Sequence, residues 1–141
     1  MNVLRNCALM LAGVLPVTGA VEASDYRDRK NTELALYEQY AQEPVDRIRT
    51  FFGIDRWQSL GPDKLVIWTS VNRAWLLTLT AACSGIEFQH TIGISSTNNT
   101  IYRRFDKIQF EHQMCFIDEI RPIDYKTLKR ERRERNEAKR R

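Results

Sequence analysis

The chain has 141 residues, room for one domain of ordinary size. Its formal charge of +4 suggests a basic protein, but residues 126–141 hold nine Lys/Arg and three Glu, which leaves 13 basic and 15 acidic side chains in the rest. The body is slightly acidic, which excludes polyanion binding through overall charge. Any attraction to an anionic partner has to come from the last sixteen residues.

The N-terminus reads as an export signal. Met1 to Arg5 is a short leader with one positive side chain, and an uncharged, mostly apolar run follows from Cys7 to Val21. At about 15 residues that run is shorter than the ~20 a transmembrane helix needs. Small residues suited to signal peptidase come next, Thr18 and Ala20 or Val21 and Ala23. The expectation is a signal peptide over residues 1–23, cut between Ala20 and Ala23, and a periplasmic or secreted mature protein. A buried N-terminal helix or an uncut anchor are the competing readings. Cys7 follows Leu4-Arg5-Asn6 and precedes the apolar run, so it is not placed as a lipidated cysteine.

Cutting removes Cys7 and leaves Cys83 and Cys115. In an oxidising compartment two such thiols in one small domain are expected to join. Closing that loop of roughly 30 residues stabilises the fold by about 3–4 kcal/mol on chain entropy. Free buried thiols and a redox pair are the alternatives; the latter usually takes C-x-x-C spacing.

Residues 24–44 read as a polar leader followed by an amphipathic helix. Leu34, Tyr37, Tyr40 and Ala41 recur at helical steps, Asn31 or Thr32 can cap the start, and Pro44 ends the run. From Val45 the period becomes two, and residues 45–125 read as a β-domain. Its expected strands are Val45–Phe51, Leu65–Thr69, Trp75–Ala81, Thr91–Ser95, Ile101–Phe110 and Met114–Ile120, with Pro122 ending the last. In the third, Trp75, Leu77, Leu79 and Ala81 share one face and Thr78 and Thr80 the other, as in a half-buried strand. Short turns and no helix-length crossovers favour antiparallel neighbours. The fold class expected is mainly β (α+β): one small curled antiparallel sheet or barrel-like domain of about six strands, with the helix over an open face. Residues 126–141 have almost no apolar side chains after Leu128. Arg130/Glu134, Glu131/Arg135, Arg133/Glu137 and Glu137/Arg141 lie at helical spacing, so a fraying, solvated helix is expected to project from the domain.

A set of residues in this body carries a family resemblance: Trp57 with Leu60-Gly61, Trp75-Leu76-Leu77, Cys83, Phe105-Asp106-Lys107-Ile108, and Cys115-Phe116-Ile117 running into Ile120-Arg121-Pro122-Ile123-Asp124. The stretch from Val45 to Asp124 resembles a family of small exported proteobacterial proteins whose domain is one of unknown function. The resemblance implies a signal peptide and a Cys83–Cys115 pair. It implies no activity, cofactor or catalytic residue. Many similar proteins look like lipoproteins, and this chain departs from them in lacking a lipobox.

No motif for chemistry stands out. Glu87, His90, Glu111 and His112 include only two histidines, where a zinc site takes three or four good ligands, so neither metal nor cofactor is expected. There is no G-x-S-x-G, and the four glycines from Gly53 to Gly93 are too scattered to cradle a phosphate. Asp106, Asp118, Glu119 and Asp124 are the candidates for an acid–base pair, against the ordinary use of acids at turns and strand edges. Asn98-Asn99-Thr100 matches a glycosylation sequon, which means little in a bacterial setting. Tyr102, Arg103, Arg104 and Lys107, beside Phe105, form a possible binding patch, which strand alternation would split between two faces. The leading expectation is a non-enzymatic binding or accessory module of the envelope that meets an anionic component or acidic protein through residues 126–141. A small hydrolase or isomerase using the carboxylates and a nucleic-acid binder using the basic tail are the alternatives.

Overall fold

The computed structural model describes residues 19–141, so the expected signal segment lies outside the described residues as far as residue 18. Helix α1 (Gly19–Gln39) is continuous through the stretch read as a polar leader. Residues 20–39 contain no Gly or Pro to break it. Arg29 donates to Asp25 at 2.5 Å, and the Thr32 hydroxyl donates to the Asp28 carbonyl at 2.7 Å. Its described early turns are exposed, and Leu34, Leu36, Tyr37 and Tyr40 at its C-terminal end touch the domain. Ala41, read as part of the helical stripe, is instead extended and bridges Ile123; Val45 likewise bridges Ile120.

Eight strands follow: β1 (Arg47–Arg49), β2 (Arg56–Ser59), β3 (Lys64–Ser70), β4 (Arg73–Leu79), β5 (Gly93–Ile94), β6 (Thr100–Tyr102), β7 (Lys107–Phe110) and β8 (Gln113–Ile123). Six of them form a curled antiparallel half-barrel in the order β2-β3-β4-β8-β7-β5, while β1 and β6 pair as a separate ribbon. The fold is therefore α+β and mainly β, as its sequence pattern implies.

Three strand expectations are corrected. Arg56-Trp57-Gln58-Ser59 has a single apolar residue and gives no period, yet it pairs along β3 from Arg56↔Trp68 to Ser59↔Leu65. The run Ile101–Phe110 is two strands, split by a turn in which Arg104 takes φ +63°. The buried carboxylate of Asp106 clamps that turn, accepting from the Tyr102 N–H at 2.7 Å and the Ser95 hydroxyl at 2.6 Å. Pro122 does not end β8, which pairs with β4 as far as Ile123. The Pro122 carbonyl accepts from the Gln42 N–H at 2.8 Å. A strand residue directs its nitrogen and its carbonyl to the same side, so the missing donor also faces Gln42 and the ladder with β4 loses nothing.

Two apolar clusters sit on opposite faces of the sheet. Inside the curl, Leu65, Ile67, Leu77, Leu79, Ile108, Ile117 and Ile120 pack with Ile48 and Ile101 of the ribbon. Outside it, Val66, Trp68, Ala74 and Leu76 pack with Tyr37 of α1 and with Tyr125 and Leu128 of α2 (Tyr125–Lys139). Strand β4 is thus covered on both faces, not half-buried, which is why Leu76 stands among its apolar residues. Ala81 lies beyond the strand and is exposed.

Helix α2 is docked on the domain through its first two turns, and its exposed remainder, residues 133–141, is the solvated part that its composition suggests. Asp124 caps it, accepting from the Thr127 N–H at 3.2 Å, and two of its first four residues are buried. Its ion pair runs across to α1, from Arg132 to Glu33 at 3.8 Å, and the Tyr40 hydroxyl donates to Glu131. The Arg132 guanidinium also lies 5.4 Å from the centre of the Tyr37 ring.

Candidate functional site

A half-barrel leaves two edges, here β2 and β5. They meet around one cleft of about 310 Å³, lined by Trp57 from β2, Ile94 from β5, Ile101 from β6, and Ile54, Thr50, His90, Thr91, Ile92 and Ser96 from the adjoining loops. Residues from both edges share the lining, so the cleft is the seam where the curled sheet stops short of closing. Its walls combine the apolar Ile54, Trp57, Ile92, Ile94 and Ile101 with about as many polar residues, a mixed make-up for a ligand cleft near the small end of the size range. Arg56 is also part of the lining. Its guanidinium stacks 4.5 Å from the centre of the Trp68 ring and donates to the Tyr125 hydroxyl at 2.9 Å on the outer side of the sheet. The titratable side chains left at the seam are Asp55 and His90.

A larger groove of about 790 Å³ runs between α1 and the Leu60-Gly61-Pro62 turn. Its lining mixes Glu22, Arg27, Lys30 and Glu87 with Tyr26, Leu60, Pro62 and Phe88, and Glu22 and Ala23 in it belong to the expected signal segment.

Cys83 and Cys115 form a disulfide with Cα atoms 6.1 Å apart. Cys83 lies four residues beyond the end of β4 and is buried in the inner cluster, and Cys115 is near the start of β8 opposite Ile108. The bridge fixes the loop that leaves β4, whose Gly85 needs φ +91°, and so sets where the chain begins its return toward the seam.

The possible binding patch is dispersed. Residues 103–106 are a turn, so strand alternation does not apply to them. Arg103 pairs with Asp46 at 2.8 Å and Arg104 with Asp118 at 3.6 Å. The Lys107 ammonium lies 6.0 Å from the centre of the Phe116 ring on the outer face of β7–β8, and Tyr102 lies across from Arg47 on the ribbon. The four candidate carboxylates do not converge either. Asp106 clamps its turn and Asp118 meets Arg104. Glu119 lies opposite Thr78 in the β4–β8 ladder. Asp124 caps α2, where hydrogen bonds from Thr127 hold its carboxyl below the ordinary value. Desolvation raises the Tyr37 hydroxyl pKa, against the opposing pull of Arg132. His112 lies in the β7–β8 turn, far along the chain from the seam's His90, and the described residues hold no cluster of three or more His, Cys, Asp or Glu fit for a metal.

Sequence reasoning did not find the seam, because much of its lining comes from β2, which has no period, and from loops. No helix among the described residues is long and apolar enough to cross a membrane. No curated protein and no solved structure matches the chain. A family model does match, over residues 4–139, nearly the whole sequence, and the chain belongs to that family of unknown function (DUF6491).

Proposed function

We propose that this protein works after export, as a disulfide-braced, non-enzymatic binding module of the cell envelope whose seam cleft receives a small apolar group. The observation that carries the reading is the seam itself: two sheet edges around a cleft of about 310 Å³ that presents Ile54, Trp57, Ile92, Ile94 and Ile101. Two further features support it. Of the four candidate carboxylates, Asp106, Asp118 and Asp124 are each engaged locally by a different partner. The disulfide suits an oxidising compartment. A cleft of this size takes a short hydrocarbon segment or one or two apolar side chains of a partner.

Titration of the disulfide-bonded chain 24–141 with N-phenyl-1-naphthylamine, an apolar fluorophore, tests the cleft. Fluorescence should rise and saturate with the parent and with Val71→Asp, whose side chain is exposed in the β3–β4 turn. It should fail to rise with Ile92→Asp, which puts a charge in the cleft, in a protein whose circular dichroism is unchanged. Failure of the parent to bind the probe refutes the cleft. Export is checked separately by mass: the protein recovered from the producing cells should begin at Val21 or Ser24 and weigh two hydrogens less than its reduced form. An intact Met1 overturns it.

A further inference from the structure

Two phenylalanines stand clear of the rest of the protein. Phe51 and Phe52 follow β1 in the loop that leads to β2, and they are 71% and 98% exposed. Gly53, at φ +79°, turns the chain directly after them. Two neighbouring large apolar side chains at a loop tip bury little within the fold, so folding gives little reason for them.

Behind the tip, strand alternation puts Ile48 in the core and Arg47 and Arg49 together on the outer face of the ribbon, with Tyr102 opposite Arg47. Among the described residues neither arginine has an acidic partner within 4 Å. Their neighbour Asp46 is held by Arg103 at 2.8 Å. The element is thus a pair of protruding rings backed by two unneutralised guanidinium groups.

We infer that this tip docks on an anionic lipid bilayer, with both rings in the headgroup–acyl boundary and Arg47 and Arg49 against lipid phosphates. Aromatic rings favour that boundary, and arginines close to an anionic surface add attraction that salt weakens. The charge is complementary to such a surface. A protein partner fits less well, since a specific protein interface covers roughly 800 Å² on each side and the tip is two residues wide. The inference adds a location for the module and stands whether or not the seam cleft takes a ligand.

Cosedimentation of the disulfide-bonded chain 24–141 with phosphatidylcholine vesicles, with and without phosphatidylglycerol, tests it. The parent should bind vesicles that contain phosphatidylglycerol. The double variant Phe51→Ser/Phe52→Ser removes exposed groups only, so its fold is kept, and its partitioning should fall about tenfold or more. Arg47→Gln/Arg49→Gln should lose about tenfold at low salt and little at high salt. The comparator is Arg130→Gln/Arg133→Gln on the outward side of α2, which should stay within about twofold of the parent because screened charges away from the contact add little. No vesicle binding by the parent, parent-like binding by the phenylalanine variant, or loss confined to the α2 variant would each overturn the inference.

Discussion

The docking of α2 makes the C-terminal helix structural, and Leu128→Ala is the substitution that measures it. Leu128 is fully buried among Tyr37, Trp68, Leu76 and Tyr125, and no apolar residue other than Ala138 follows it in the helix. Leu128 and Tyr125 together contribute roughly 3–6 kcal/mol of apolar burial, at about 1.5–3 kcal/mol for each side chain. Truncating one of the two leaves a cavity that the rigid aromatic neighbours cannot fill, and a buried Leu→Ala change costs about 2–5 kcal/mol. A loss near ~3 kcal/mol is a large share of the ~5–15 kcal/mol available to a domain of this size, and lowers its melting point by about 10 °C. Because α2 is terminal, part of the loss should appear as peeling of the helix before global unfolding. Peeling uncovers Trp68, which is 3% exposed in the folded state. The assay is therefore a circular dichroism melt combined with acrylamide quenching of tryptophan fluorescence below the main transition. Quenching should rise in Leu128→Ala and not in Arg133→Ala, an exposed site expected to lie within about 0.5 kcal/mol of the parent. If the two variants melt together and quench alike, α2 is a solvated appendage after all.

Two further outcomes concern the bridge and the cap. Reducing Cys83–Cys115 removes the constraint on a 32-residue separation, which should cost about 3–4 kcal/mol and move the urea midpoint down by roughly 1–3 M; Cys83→Ala/Cys115→Ala should match the reduced parent, and a midpoint indifferent to reductant contradicts the argument. The Asp124 carboxyl is held below its ordinary value of 3.8 by hydrogen bonds from Thr127. A folded-state value below the unfolded one contributes stability that is present above the unfolded value and lost as pH falls through the folded one. The deficit of Asp124→Ala relative to the parent should therefore be full at neutral pH and shrink in acid, as read from denaturation midpoints across that range; a deficit that grows in acid has the wrong sign.

The parts of the fold legible in the sequence are those where one physical cause dominates. Leu65 to Thr69 and Trp75 to Leu79 are β-branched, aromatic or aliphatic runs, and they became adjacent central strands. Two cysteines left after an expected cut pointed to a single pairing, and that pairing formed. Elsewhere a second cause intervened. The polarity of residues 24–31 argued for a leader, but without Gly or Pro, and with local pairs such as Arg29–Asp25, the helix continues through them. Leu128 read as the last apolar residue of a charged tail, whereas a single leucine one turn after Tyr125 is enough to seat a helix in an aromatic socket that the sheet and α1 already provide. Apolar count along the helix misjudged this because the socket is built by residues 37, 68 and 76, distant in the chain.

The seam was illegible for a deeper reason. A cleft between sheet edges depends on how far the sheet curls, and curl is set by strand order, which brings β5 beside β7 and leaves β2 at the far edge. No residue in Arg56-Trp57-Gln58-Ser59 or Thr91-Ile92-Gly93-Ile94 announces that the two segments will face each other. The exposed tip was hidden in the opposite way. Val45, Ile48 and Phe51 are apolar at every third residue, whereas with Ile48 inward a period of two puts Phe51 on the outward face with Arg47 and Arg49. The strand ends at Arg49, two residues before Phe51, so the ring meets no strand partner. Periodicity identifies which side chains would share a face while a strand lasts. Here function is argued from the place where the strand stops, and that place is decided by the partner β6, whose own pairing begins only at Thr100, after the two left-handed residues Asn98 and Asn99.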